Sequence, residues 1–252
     1  MKSLQPAPLL LSGNLWPGAI MSFPGITTFW SRSFEEYRLF FGLTESDLAG
    51  LILGCADGPA SFNAEATALG HRVISCDPTY AYSATEFARR VEACYDVVIS
   101  QVKENIDKYI WGYFRDPDHL GQCRLAAMRK FLADFDVGKQ AGRYVTASLP
   151  ELPFNDGQFS LALVSHLLFL YSSEFDCDFH VAAFEELLRV AGEVRVFPLF
   201  GLDRRRSPHV GPVFDHLERV GFEVEVVSVE FEFQKVDDDT GNHMMRVLRR
   251  PA

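Results

Sequence analysis

Several features are scarce in this chain, and each scarcity excludes something. Cysteine occurs five times in 252 residues (Cys55, Cys76, Cys94, Cys123 and Cys177), an odd number without a C-x-x-C pair. That layout is neither a disulfide framework nor a zinc site, and it suits a reducing compartment. Cations are outnumbered, 24 Lys+Arg against 34 Asp+Glu for a net charge of −10. A nucleic-acid binder that relies on general phosphate neutralisation is therefore not expected. Long hydrophobic runs are missing as well. The longest, LALVSHLLFLY over residues 161–171, contains a histidine and falls well short of the ~20 residues of a membrane span. The leucines near the N-terminus are interrupted by Pro6, Pro8 and Pro17, which makes a poor signal peptide. The expectation is a soluble, cytoplasmic protein with no metal centre, membrane association or nucleic-acid partner.

What is present is a globular composition, 48% hydrophobic and 23% charged, enough to bury a sizeable core. Residues 1–28 read as an irregular Pro/Gly/Leu-rich arm. Phe34, Tyr37, Arg38, Phe40 and Phe41 follow as a short amphipathic helix closed by Gly42. From residue 50 strands and helices alternate. LILGC is a buried strand running into a glycine turn, Phe62, Ala66 and Leu69 lie at helical spacing, and RVISCD is a second strand. Strand, helix and strand within about thirty residues make a βαβ unit with parallel strands. Further strands are expected at residues 143–146, 159–164 and 193–198. A helix carrying Val181, Phe184, Leu187 and Leu188 leads into the last, and another carries Val213, Phe214, Leu217 and Val220. A long strand over residues 222–233 changes apolar phase between Val226 and Val227, which predicts a β-bulge or burial on both faces. VDDDTGN then turns the chain into a last strand at residues 243–248.

Between Asp77 and Arg143 the chain is far longer than a crossover needs. Phe87, Val91, Cys94, Val98, Val102, Ile106 and Tyr109 predict one long helix, and Leu125, Met128, Leu132 and Phe135 a second. The segment WGYFRDPDH at residues 111–119 joins them and is expected to form a lid over the strand ends.

The chemistry concentrates in LILGCADGPASFNAE and GHRVISCDPTY. A glycine turn between a strand and its helix directs backbone N–H groups toward a polar ligand. Gly54 and Gly58 supply positions where a Cβ would obstruct the ligand or demand a positive φ. Asp77, nineteen residues after Gly58, ends the second strand, where a carboxylate accepts ribose hydroxyls. From Gly54 the chain reads G-C-A-D-G-P, so the dinucleotide pattern G-x-G-x-x-G fails twice. The looser G-x-G-x-G fails once, at Ala56.

At these residues the chain resembles the class I S-adenosylmethionine (SAM)-dependent methyltransferases, from about Ala49 to the C-terminus. SLPELPFNDGQFSLALVS is similar to the family's segment from the third strand through the fourth, and ELLRVAGEVRVFPLF to the helix and strand that follow. The closing hairpin resembles the family's sixth and seventh strands. The implied fold is α/β, a doubly wound Rossmann-like seven-stranded mixed sheet ending in an antiparallel β-hairpin. A helical insertion at about residues 84–140 follows the second strand. An N-terminal arm and cap helix (residues 1–48) would precede the SAM-binding domain (residues 49–252).

The resemblance implies that Gly54, Cys55, Ala56 and Gly58 face the methionine portion and ribose of SAM. Asp77 would bind the ribose hydroxyls, Pro78 pack beside the adenosine, Ser148 and Leu149 hold the adenine, and Ser165 lie under the sulfonium with His166. Three positions depart from the family: Ile52, Ser148 and Ser160 stand where it often has acidic residues. His166 is the candidate catalytic residue, a general base toward a hydroxyl, amine or carbon acid, with a histidine bonded to backbone at a strand end as its bland alternative. Tyr37, Trp111, Tyr113 and Arg115 are candidate substrate contacts, Arg115 by pairing an anionic group. Asp176, Asp178 and His180 invite a metal reading, but they open a helix, where Asp is a favoured cap. The expected activity is methyl transfer from SAM to a small-molecule acceptor by in-line displacement. The alternatives are a SAM-binding protein without catalysis and a protein or RNA methyltransferase.

Overall fold

The computed structural model describes residues 30–237 and 241–249. The expected N-terminal arm lies outside them. The first helix, α1 (Phe34–Phe41), starts with a capping box in which Ser33 and Glu36 bond each other's backbone N–H, and it ends at Gly42 with φ 54°. A short helix α2 (Glu45–Leu48) leads into β1 (Leu51–Cys55), followed by α3 (Phe62–Ala68) and β2 (Arg72–Cys76). The insertion is a helical hairpin of α4 (Ala84–Glu104) and α5 (Pro117–Gln140), capped by Ser83 and Asp116 respectively. Then come β3 (Tyr144–Val145), β4 (Phe159–Ser165), α6 (Cys177–Val190), β5 (Ala191–Phe197), α7 (Val210–Arg219), β6 (Phe222–Ser228) and β7 (His243–Arg249).

The sheet order is β3-β2-β1-β4-β5-β7-β6, with the first five strands parallel and β7 antiparallel to both its neighbours. This is the doubly wound Rossmann-like arrangement with a terminal antiparallel hairpin that the resemblance implies. Alternate residues of β4 feed two cores, as a strand covered on both faces requires. Ala162 and Val164 join Phe184, Leu187, Val213 and Leu217 beneath α6 and α7. Leu161 and Leu163 join Phe40, Phe41 and Phe62 beneath α1 and α3. The insertion carries a third core of Phe87, Val91, Met128, Phe131 and Phe135, closed by Tyr80 and Tyr144. Each fully buried aromatic or aliphatic side chain stabilises the fold by about 1.5–3 kcal/mol relative to exposure.

Two sequence expectations change. The long helix stops at Glu104, and Tyr109 instead forms a bridge with Gln234. Asn105 ends it, bonding back to the Gln101 carbonyl from a non-helical φ of −118°. The long strand ends at Ser228, and it carries no bulge, because β6 and β7 pair residue for residue from Phe222↔Arg249 to Ser228↔His243. The phase change arises from burial on both faces, Val224 in one core and Val227 against the other. Past Ser228 the chain leaves the sheet, and Phe231 and Phe233 fold over the strand ends.

Candidate functional site

Parallel strands β1, β2 and β4 deliver their connecting loops to one edge of the sheet, and a cavity of about 500 Å³ opens there. That volume lies in the ~300–1,000 Å³ range of small-molecule pockets. The loops after β1 (Ala56 to Pro59), β2 (Asp77, Thr79) and β4 (Ser165 to Leu167) form its floor. One wall is α4, through Val98, Gln101 and Val102, with its cap Asn105; Tyr109, Phe231, Phe233 and Gln234 form the roof, and Trp30, Arg32 and Phe40, with Arg124 of α5, a further side.

The loop after β1 is held in unusual backbone geometry. Ala56, which replaces a glycine of the looser motif, has φ 60°, and Gly58 has φ 52°. For an L-residue the left-handed region costs about 1–2 kcal/mol. Ala56 N–H donates to the Cys76 carbonyl at 2.8 Å, and Tyr80 Oη donates to the Gly58 carbonyl at 2.8 Å. Gly54 makes room for a neighbouring side chain. A Cβ there would lie 1.9 Å from Asp57 Oδ2, so the carboxylate, and not a ligand, requires this glycine. Near the Gly58 Cβ position, the nearest atom is Asp77 Oδ2 at 3.9 Å, which leaves that side of the loop open to a ligand.

Two buried carboxylates line this end of the cavity. Asp57 accepts from Tyr37 Oη at 2.7 Å and from Ser75 Oγ at 2.6 Å. Burial pushes its pKa up to about 7, against the pull of those two hydrogen bonds. Asp77 accepts from Gly58 N–H at 2.9 Å through Oδ2, and from Thr79 N–H at 2.8 Å and the Thr79 hydroxyl through Oδ1. Burial raises its pKa too, opposed by the bonds from Thr79 and Gly58. Both Asp57 oxygens and Asp77 Oδ2 retain a lone pair beyond these bonds, whereas Asp77 Oδ1 is filled by Thr79.

A neutral imidazole and two guanidiniums also face the cavity. His166, directly after β4, has φ 56°, donates its N–H to the Phe197 carbonyl at 2.7 Å, and sets Nδ1 2.8 Å from Ser165 Oγ. Burial, then the Arg32 and Arg124 guanidiniums, hold its pKa well below the usual histidine value, so the imidazole is neutral. Arg124, from α5, donates to Glu36 at 2.6 and 2.7 Å and to the Ser31 carbonyl at 2.9 Å. This almost wholly buried pair ties the insertion to α1 (side-chain exposures 7% and 2%). Backbone strain at Ala56 and His166 falls on the cavity floor, where function commonly concentrates it.

The structure brings Ala56, Gly58, Asp77, Ser165 and His166 together on the cavity wall. Gly54, Cys55 and Pro78 do not line it; Cys55 is buried at the end of β1 and Pro78 in the turn after β2. Ser148 and Leu149 also lie off the wall, with Leu149 in the core and Ser148 bridged to Glu151. Tyr37 is buried and reaches the site through its bond to Asp57. Trp111, Tyr113 and Arg115 are not lining residues either. Trp111 donates to the Ile106 carbonyl and packs on Tyr109 and Phe233, Tyr113 packs on Phe114 and Phe231, and Arg115 is exposed. The residues that do reach the cavity from this part of the chain are Tyr109 and the α4 face. Ile52 is buried beneath α1, and the acidic group near the first loop comes from Asp57. Asp176 caps α6 by accepting from Phe179 N–H at 2.8 Å. The sequence reading missed Asp57, Arg32, Arg124, Phe231 and Phe233. Asp57 sat in view inside the glycine turn, whereas the two arginines, 92 residues apart, carry no local motif.

No family model matches this chain. The uncharacterized protein MJ0045 of Methanocaldococcus jannaschii is 26% identical over 225 residues, covering 89% of this chain and 96% of that protein. Among solved structures, similarity extends to magnesium protoporphyrin IX methyltransferase (ChlM) from Synechocystis PCC 6803 with bound SAM. Identity is 12%, 82% of this chain and 73% of that one are covered, and the TM-score is 0.41. It extends also to a TehB-like SAM-dependent methyltransferase from Corynebacterium glutamicum, with 14% identity, coverage of 86% and 87%, and a TM-score of 0.44.

Proposed function

We propose that the chain transfers a methyl group from SAM to a small-molecule acceptor by in-line displacement. The observation that carries this reading is the common cavity that joins Gly58 and Asp77, in the loops after β1 and β2, to Ser165 at the end of β4 and His166 directly after it. The residues fit the cofactor. Asp77 presents a free lone pair at Oδ2, and the open side of Gly58 admits a ribose edge beside it. When bound, SAM supplies an electrophilic methyl group on a positively charged sulfur.

Asp77 accepts hydrogen bonds from the ribose hydroxyls, and Asp57 places a carboxylate close to the cationic part of the cofactor. His166, kept neutral, is a weak base; its part is to hold the acceptor's nucleophilic group in line by a hydrogen bond. Alignment of nucleophile, methyl carbon and leaving group supplies most of the acceleration in such a displacement. Phe231, Phe233 and Tyr109 exclude water, which competes for the nucleophile's position. A cavity walled by α4 and roofed by aromatics, in a chain of net charge −10, favours a small molecule over nucleic acid. Titration calorimetry with SAM, S-adenosylhomocysteine and NAD tests the assignment. Micromolar binding of the first two and none of NAD is expected; heat from NAD alone would overturn it.

A further inference from the structure

Arg32 stands out among the charged groups of the cavity. A guanidinium carries five N–H donors, yet among the described residues that of Arg32 makes one hydrogen bond, to the Trp30 carbonyl at 3.2 Å, and its buried Nε has no partner. It forms no ion pair among the described residues. Arg32 is half-buried, and Arg124, the buried guanidinium on the same wall, is already committed to Glu36. Two guanidiniums therefore share one carboxylate at the end of the cavity where Ser165, His166 and Tyr171 also lie. Asp57 and Asp77 are held by bonds of their own and form no ion pair with Arg32. A buried charge without a counter-charge is unfavourable. Accordingly, burial and then the adjacent Arg124 pull the Arg32 pKa down to about 10. An anion placed against Arg32 would remove both penalties.

We propose that Arg32, backed by Arg124, is a carboxylate-binding subsite of the cavity. The planar fork of a guanidinium matches a carboxylate with two parallel hydrogen bonds. The carboxylate has two sources in the proposed reaction: the amino-acid end of the cofactor, or an acceptor that is an organic acid. The inference rests on the SAM reading, and the experiment separates the two.

Wild type, Arg32→Gln and Arg32→Lys are titrated by calorimetry with S-adenosylhomocysteine and with 5′-methylthioadenosine, which lacks the amino-acid end. Benzoate is then titrated into each protein saturated with S-adenosylhomocysteine. Thermal unfolding confirms that each variant is folded. If the cofactor's carboxylate occupies the subsite, Arg32→Gln weakens S-adenosylhomocysteine by about 10- to 100-fold, the range of a charge-assisted bond. In that case 5′-methylthioadenosine is unaffected and Arg32→Lys restores part of the loss. If the subsite serves the acceptor, both nucleosides bind the variants as they bind wild type. Benzoate then binds wild type and not Arg32→Gln. Nucleoside affinities independent of Arg32 together with no Arg32-dependent benzoate binding would overturn the subsite and leave the SAM reading intact. Failure of both nucleosides to bind wild type would overturn the SAM reading itself, and benzoate binding to ligand-free wild type but not Arg32→Gln would then still support the subsite.

Discussion

Replacing Asp57 with asparagine should flatten a specific part of the protein's pH–stability profile. The carboxylate is 7% exposed, and burial raises its pKa from the ordinary 3.8 to about 7 in the folded state. The folded protein therefore holds a proton on Asp57 over a pH range in which the unfolded chain has released it. A raised carboxylate pKa contributes stability below the unfolded value, and that contribution is lost as pH rises through the folded value. Three pH units correspond to about 4 kcal/mol. The amide introduced by Asp57→Asn retains partners, since the Tyr37 and Ser75 hydroxyls can turn to accept as well as donate. It does not titrate. Denaturant unfolding of both proteins from about pH 4 to pH 8 gives the difference in stability at each pH. That difference should move by several kcal/mol in favour of the asparagine variant as pH rises, and level off above about 7. Asp77, whose pKa is raised in the same direction, contributes to both profiles and largely cancels in the difference. A difference independent of pH would mean that Asp57 is not buried as described.

Other expectations follow from the same geometry. Asp77→Ala should weaken SAM by about 1.5–3 kcal/mol if the carboxylate accepts from ribose hydroxyls, read by calorimetry; unchanged affinity would place the ribose elsewhere. Glu36→Gln leaves the buried Arg124 guanidinium without its counter-charge and should cost about 3–5 kcal/mol of stability; adding Arg124→Met should recover part of it in denaturant unfolding. Ala56→Gly relieves a left-handed residue at φ 60° and should be neutral or stabilising by up to about 1 kcal/mol, partly offset by chain entropy. Residues 107–120 and 229–236, joined by the Tyr109–Gln234 bridge and the Ile110 N–H to Phe233 bond at 2.7 Å, should gain hydrogen-exchange protection together when ligand binds. Protection of one segment without the other would dissociate them as a shared cover.

The sequence by itself determined the elements and their order. Periodicity separated the strand LILGC from the helix after it, glycine and proline set the boundaries, and the oversized gap after Asp77 announced the α4–α5 hairpin. These signals are local, written in side-chain spacing and turn chemistry, so they can be read along one dimension. The placement of Ala56, Gly58, Asp77, Ser165 and His166 at one edge was legible for a related reason, since parallel strands present their carboxyl-terminal loops on the same side. Tertiary structure alone decided the rest. It kept Trp111, Tyr113 and Arg115 off the cavity wall and brought in Phe231 and Phe233, because the chain after β6 leaves the sheet to pair with residues 109–110. It also assigned Gly54 to the Asp57 carboxylate and left Arg32, among the described residues, without an ion pair beside Arg124. Contacts between residues so distant in the chain depend on how covered elements stack, and no spacing rule encodes which charge will find a partner.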